Sequence, residues 1–140
     1  MSFFVDANVL VYGRTTSEHH DACADILEAI ARGDIAGQTS TAVLEEIWHL
    51  ELTRGRDFEG ITEHAYSVLK PLLAVTDEIF RAALVLDLDG LGANDRVHAA
   101  TCLANGIDTI VSADASFDRV PGLRRVDPLD DRARRRLLAG

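Results

Sequence analysis

Only two cysteines occur in this chain, Cys23 and Cys102, far apart and with no CxxC pair. That pattern excludes a disulfide scaffold and a thiolate zinc module, and it leaves two reduced core thiols. The five histidines are scattered, and His19 and His20 are neighbours that would diverge by about 100° on a helix, so no histidine metal motif is present. Long apolar runs are also missing. The stretch Ile107 to Val111 is broken by Asp108 and is far too short to cross a bilayer. Met1 to Val5 meets Asp6 without the basic segment and long apolar segment of a signal peptide, so the expectation is a cytoplasmic protein with no membrane segment. Basic residues are few: Lys and Arg total 14 against 23 Asp and Glu, for a formal net charge of -9, and Lys70 is the sole lysine. Such a balance argues against broad, unspecific adhesion to nucleic acid. Arginines nevertheless cluster at Arg54/Arg56, Arg124/Arg125 and Arg132 to Arg136, so local charge departs from the net value.

What is present is a core. With 140 residues, 47% of them hydrophobic, and no long linker, the chain suits one α/β domain spanning 1–140. Phe3 to Val5 reads as a buried strand. A helical period runs from about Glu18 to Ala31, where Ala22, Ile26, Leu27 and Ile30 share a face, and Gly33 stops it. Ile35 to Gln38 is a weak second strand, followed by a helix from about Thr41 with Ser40 or Thr41 as N-cap and Gly55 at its end. Phe58 to Lys70 is helix-like, Pro71 breaks it, Leu72 to Val75 reads as a short strand, and Thr76 or Asp77 caps a helix through Leu88. Asn94 or Asp95 opens a helix ending near Asn105-Gly106. Ile107 to Val111 is a β-branched strand, Val120 to Val126 an edge strand, and Asp130 to Leu138 a charged terminal helix. Helices alternating with short apolar strands imply a parallel sheet covered on both faces, whose ligands sit beyond the carboxyl ends of the strands.

Four acidic stretches fall at such ends. Asp6 directly follows the first strand, and by itself it also suits a turn or helix cap, with Asn8 as another capping residue. Glu45 and Glu46 separate by helical phase: Val43, Leu44, Ile47 and Leu50 define the buried side, Glu46 flanks it, and Glu45 points nearly opposite. Asp95 continues the line of Ala99 and Cys102; it reads as a helix cap with Asn94 or as a ligand, with His98 in reach of it at i+3. Asp114 follows the Ile107 to Val111 strand. Asp118, four residues later, either reaches a second metal or caps the turn. Clustered hard oxygens suit Mg²⁺ or Mn²⁺, and such an ion can activate water for phosphodiester hydrolysis. Asp6, Glu46, Asp95 and Asp114 are therefore the candidate catalytic and metal-binding residues.

Taken in order, Val5-Asp6-Ala7-Asn8, Ser40 followed by Glu46, Asn94-Asp95 with Ala99-Ala100, and Ser112-Ala113-Asp114 leading to Phe117 resemble the PIN domains, in particular the VapC-type ribonuclease toxins of toxin-antitoxin pairs. The resemblance covers most of the chain. It implies a PIN-like three-layer α/β fold with a short central parallel sheet flanked by helices. It also implies Asp6, Glu46, Asp95 and Asp114 as the acidic set of a Mg²⁺- or Mn²⁺-dependent endoribonuclease, with Asn8, Ser40 and Ser112 as polar support. The expected partners are an RNA substrate such as tRNA or rRNA, a cognate antitoxin whose C-terminal segment covers the acidic cleft, and a second copy of the chain in a homodimer. One departure stands out: Ser112-Ala113-Asp114 replaces the Thr-Asn-Asp of many relatives, which thins the polar support there.

Two other readings compete. A non-catalytic PIN-like scaffold would keep the acidic pocket to bind a partner. A receiver-like phosphoacceptor would use Lys70-Pro71, but this chain lacks paired acids after the first strand and a strand-ending acceptor Asp between Asp6 and Lys70.

Overall fold

A computed structural model describes all residues 1–140. Four short strands form one sheet: β1 (Ser2–Val5), β2 (Ala36–Gln38), β3 (Thr109–Val111) and β4 (Arg124–Val126). Their order is β2-β1-β3-β4 and every pairing is parallel, with Phe3 opposite Gly37, Phe4 opposite Ile110, and Ile110 opposite Arg125. Consecutive strand residues face opposite sides of a sheet, yet Phe3, Phe4 and Val5 are all buried, as are Thr109, Ile110 and Val111. Both faces of the central strands are therefore covered, which makes the fold three-layered. Hiding a phenylalanine side chain contributes roughly 1.5–3 kcal/mol, so β1 is an anchor of the core.

Seven helices pack around the sheet: α1 (Ala7–Tyr12), α2 (His20–Ala31), α3 (Thr41–Arg54), α4 (Ile61–Leu69), α5 (Asp77–Leu84), α6 (Ala93–Ala104) and α7 (Asp131–Leu138). Helix α2 lies against α1, α4 and α7, while α3 meets α1, α4 and α6. Strand β2 carries Gly37 because Ile30 of α2 packs on it; a Cβ there would collide with the Ile30 side chain.

Parallel strands put all their carboxyl ends on one edge. The chain leaves β1 for β2 on one side and later returns to β3 on the other, so the order reverses at β1, and a crevice opens there. Backbone bonds extend this edge past the strands, from the Asp6 amide to the Val111 carbonyl (3.1 Å) and from the Ser112 amide to the Val126 carbonyl (3.1 Å).

Several local expectations need correction. Helix α1 begins directly after Asp6, within a stretch too short to show helical periodicity. The Phe58 to Lys70 reading divides into a 3₁₀ turn (Arg56–Phe58) and α4, because Gly60 between them has φ 80°. Leu72 to Val75 contributes one bridge, Leu73 with Ser40, rather than a strand. Helix α5 ends at Leu84 instead of Leu88: Leu86-Asp87-Leu88-Asp89 is irregular, with Leu86 and Leu88 packed on the core. Arg96 clamps this segment by donating to the carbonyls of Leu91 (2.8 Å) and Leu88 (3.3 Å). Finally, α6 starts at Ala93 with Gly92 as its cap residue, so neither Asn94 nor Asp95 caps it.

Candidate functional site

Asp6 leaves β1 at its carboxyl end and is buried. It does cap a helix, accepting the Ala7 amide at 2.8 Å, but its other oxygen accepts the Ser112 hydroxyl (2.7 Å) and the Asn8 amide group (3.1 Å). The capping and site roles thus coincide in one residue. Burial pushes the Asp6 carboxyl above its usual range; the Ser112 hydrogen bond opposes that rise, and the neighbouring Glu46 adds to it.

Ser112 is the knot that ties β1 to the turn after β3. Its oxygen donates to Asp6, accepts from Asn8 Nδ2 (3.1 Å), and accepts the backbone amide of Asp114 (3.0 Å). Asn8 Oδ1 takes the amide of Ala113 at 3.2 Å. The support expected to be thin at Ala113 is therefore supplied by its backbone rather than its side chain. Ser40 plays a different part: buried at the start of α3, it accepts the Val43 amide (3.3 Å) and orients that helix without bonding to an acid.

Asp114 accepts the Ser116 amide (2.9 Å) and caps the 3₁₀ turn Ala115–Arg119. Burial acts to raise its carboxyl, but the Ser116 amide, Asp95 and the Arg125 guanidinium outweigh it and hold Asp114 below the usual range. Asp95, in the first turn of α6, shows the reverse. Burial, followed by the charges of Asp6 and Asp114 and a proton shared with Asp114, pushes it from 3.8 up to about 7. A desolvated acid beside two other acids cannot ionise freely.

Glu46 extends from α3 toward the same place with a partly exposed side chain, while Glu45 is exposed, as helical phase requires. Glu46 Oε1 lies 3.3 Å from Nε2 of His98, which in turn is 4.0 Å from Asp6 Oδ1. The i+3 spacing on α6 predicts that His98 reaches Asp95. It instead enters the interior beside Phe4, with ring centroids 5.9 Å apart, and crosses to α3. A cavity of about 600 Å³ opens between α3, α5 and α6 next to this pair, lined by Thr41, Glu45, Glu46, His49, Phe80 and Asn94 among others.

All four acidic candidates thus meet at one edge of the sheet from four separate segments. They do not form a closed coordination shell: no three His, Cys, Asp or Glu side chains are already arranged to grip one ion. Asp95 and Asp114 are near enough to shift each other, Asp95 upward and Asp114 downward, as acids that share a site do. Hard oxygens, crowding and a proton that a cation can displace fit Mg²⁺ or Mn²⁺ in chemical type. Asp118 stands apart. Exposed and bonded twice to Arg125, at 2.9 and 3.2 Å, it fixes the turn together with the Arg125 bond to the Ser112 carbonyl (3.0 Å). Lys70 is an exposed residue at the end of α4 with no ion pair to any acid, which removes the basis of the receiver-like reading.

The PIN domain family model matches residues 3–123. Ribonuclease VapC7 of Mycobacterium tuberculosis is 31% identical over 136 residues, covering 89% of this chain and 90% of the relative. Ribonuclease VapC13 of the same organism is 28% identical over 127 residues, covering 87% and 97%. Among solved structures, VapBC2 from Rickettsia felis bound to a promoter DNA fragment superposes with a TM-score of 0.68 at 21% identity, over 91% of this chain and 100% of that one. FitAcB from Neisseria gonorrhoeae gives 0.66 at 16%, over 93% and 99%. At those identities the structures speak for the fold alone, and they share this α/β architecture. By the family match, and by its likeness to VapC proteins over most of its length, this chain belongs to the PIN-domain family.

Proposed function

We propose that this chain is a Mg²⁺- or Mn²⁺-dependent endoribonuclease, a single nuclease domain over residues 1–140, that acts in the cytoplasm as the toxin of a toxin-antitoxin pair. The observation that carries the reading is the meeting of Asp6, Glu46, Asp95 and Asp114 at one sheet edge, with Asp95 pushed up to about 7 by its acidic neighbours. The ribonuclease names of the VapC relatives support the choice of RNA. No helix is long and apolar enough to cross a membrane.

Asp6, Glu46, Asp95 and Asp114 would hold the cation. When bound, it supplies charge stabilisation on phosphoryl oxygens and a more acidic attacking water. The chain's own residues prepare the site. Ser112 and Asn8 fix the Asp6 carboxylate and the Asp114 backbone as one unit, so neither has to be ordered when substrate arrives. Asp95, raised to about 7 by burial and its acidic neighbours, would have to give up its proton before all four acids could act as anions. Hydrogen bonding from Ser116, then Asp95 and last the Arg125 guanidinium at the rim, which is paired with Asp118, hold Asp114 below the usual carboxylate range.

The proposed partners follow the same reading: an RNA such as tRNA or rRNA, a small cognate antitoxin bringing a basic side chain to the acidic cleft, and a second copy of the chain. Exposed Trp48, Leu52, Phe80, Leu84 and Val85 leave apolar surface for association. The test is metal-dependent cleavage of structured RNA by the purified protein, with Asp6→Asn as control. A folded protein that binds its partner but cleaves nothing would be the scaffold instead.

A further inference from the structure

His98 lies on α6 one turn beyond Asp95, and it is 1% exposed, which is unusual for a histidine. A buried polar side chain is retained when it satisfies another polar group. The partners of His98 are specific. Nε2 stands 3.3 Å from Glu46 Oε1 and 4.0 Å from Asp6 Oδ1, whereas Nδ1 has no hydrogen-bond partner at all. Two of the other acids are better supplied. Asp6 accepts from Ala7, Asn8 and Ser112, and Asp114 accepts from Ser116. Glu46 has one hydrogen bond, and His98 makes it.

We infer that His98 is a positioning residue that aims Glu46 at the cation, with its proton on Nε2, which holds one Glu46 oxygen beside Asp6 and leaves the other free to ligate. This inference rests on the metal-dependent reading above. The tautomer follows from satisfaction: a proton on Nδ1 would be a buried N–H without an acceptor, while a proton on Nε2 has Glu46. Packing fixes the ring. Phe4 of β1 stands against it at a centroid distance of 5.9 Å, and the next turn of the same helix is buried through Thr101 and Cys102. The imidazole is therefore rigid, and it links α3 to β1 across the crevice. Glu46 otherwise belongs to a partly exposed helical position, where a free glutamate would sample many rotamers. Holding it in one arrangement before the cation arrives removes that ordering cost from binding.

The test uses the full chain. Long-range ¹⁵N–¹H spectra of the metal-free protein at a pH of about 8 should show His98 protonated on Nε2. A proton on Nδ1 overturns the inference without reference to metal. Mn²⁺ binding is then followed by paramagnetic resonance. His98→Phe, which removes the donor, should weaken binding by about tenfold or more, and His98→Gln, whose amide can reach the Nε2 position, should stay within about threefold. In a Glu46→Gln background the added His98→Phe change should alter binding by less than about twofold, because the acid it positions is gone. Circular dichroism and thermal melts keep the result interpretable. If His98→Phe does not fold, His98→Met, which also lacks the donor, takes its place in both backgrounds with the same expected outcomes. Unchanged Mn²⁺ affinity in His98→Phe, or an equal loss in both backgrounds, overturns the positioning role while leaving the metal reading intact. No Mn²⁺ binding by the unsubstituted protein removes both.

Discussion

Replacing Asp95 by Asn should stabilise the metal-free protein, and only above mildly acidic pH. The carboxyl is raised from 3.8 to about 7, so folding favours its protonated form. Below the unfolded value both states carry the proton and Asp95 costs nothing. As pH rises from about 4 to about 7 the unfolded chain ionises first, and stability falls until the folded group ionises as well. In full, the rise from 3.8 to about 7 would correspond to about 4 kcal/mol. Asp95 is only half-buried, so solvent screening reduces that, and about 2 kcal/mol is the expected gain for Asp95→Asn at pH 8. For a domain of this size the gain is a shift of roughly 5–10 °C in melting temperature. Urea melts of both proteins with chelator, at about pH 4, 6 and 8, measure it. The curves should converge near pH 4 and separate steadily toward pH 8. Saturating Mg²⁺ should reverse the order, since the native protein then gains from ion binding that the variant has lost. A destabilised Asp95→Asn protein at pH 8, or a gain that does not change with pH, would refute the crowding of acids around Asp95.

Three other outcomes are expected. Glu46→Gln should lower metal-dependent RNA cleavage by about 100-fold or more while Glu45→Gln stays within about twofold, measured side by side as kcat/KM; a more damaging Glu45→Gln would contradict the position of Glu46 beside His98. Asp118→Asn frees Arg125 from its two carboxylate bonds, so it should cost at most about 1 kcal/mol in a urea melt and leave Mn²⁺ affinity within about threefold, whereas loss of metal binding would return Asp118 to the ligand set. Expression of the chain alone should arrest growth, and coexpression of a cognate antitoxin should restore it and suppress RNA cleavage by the purified complex. Rescue without suppression of cleavage would contradict inhibition at the acidic edge.

Much of this site is visible in the sequence because each acid follows a local signal. Asp6 and Asp114 end apolar β-branched or aromatic runs, and Glu46 is separated from Glu45 by the spacing of Val43, Ile47 and Leu50. Ser40 as the cap of α3, Asp130 as the cap of α7 and Gly55 as a stop are likewise local chemistry. What was not legible depends on contacts across the fold. Helix α1 is six residues long, too few for a period, and its start is concealed because Asp6 serves as cap and site residue together. The alternating Leu86 to Asp89 stretch continues an apolar pattern in sequence but is tied down by Arg96 from the next helix. His98 was the largest gap. Its i+3 spacing pointed to Asp95, and only the proximity of α3 and α6 makes Glu46 its partner, although its place one turn before Cys102 on the buried face already marked it as an interior histidine in need of an acceptor. Asp118 could not be separated from the ligands for the same reason: Arg125, its partner, belongs to β4.

The most direct test of the central claim is cleavage of structured RNA by the purified chain in a titration of Mg²⁺ and Mn²⁺, with Asp6→Asn run in parallel at matched fold content. Endonucleolytic products that need divalent cation and vanish with chelator are expected. Loss of at least about 1,000-fold is expected in Asp6→Asn, compared at matched fold content because an Asn amide group would face the donors that Asp6 now accepts, Ala7 on one oxygen and Ser112 and Asn8 on the other. Cleavage that persists in chelator, or that survives Asp6→Asn, or an RNA left intact at every cation concentration, would contradict the central claim.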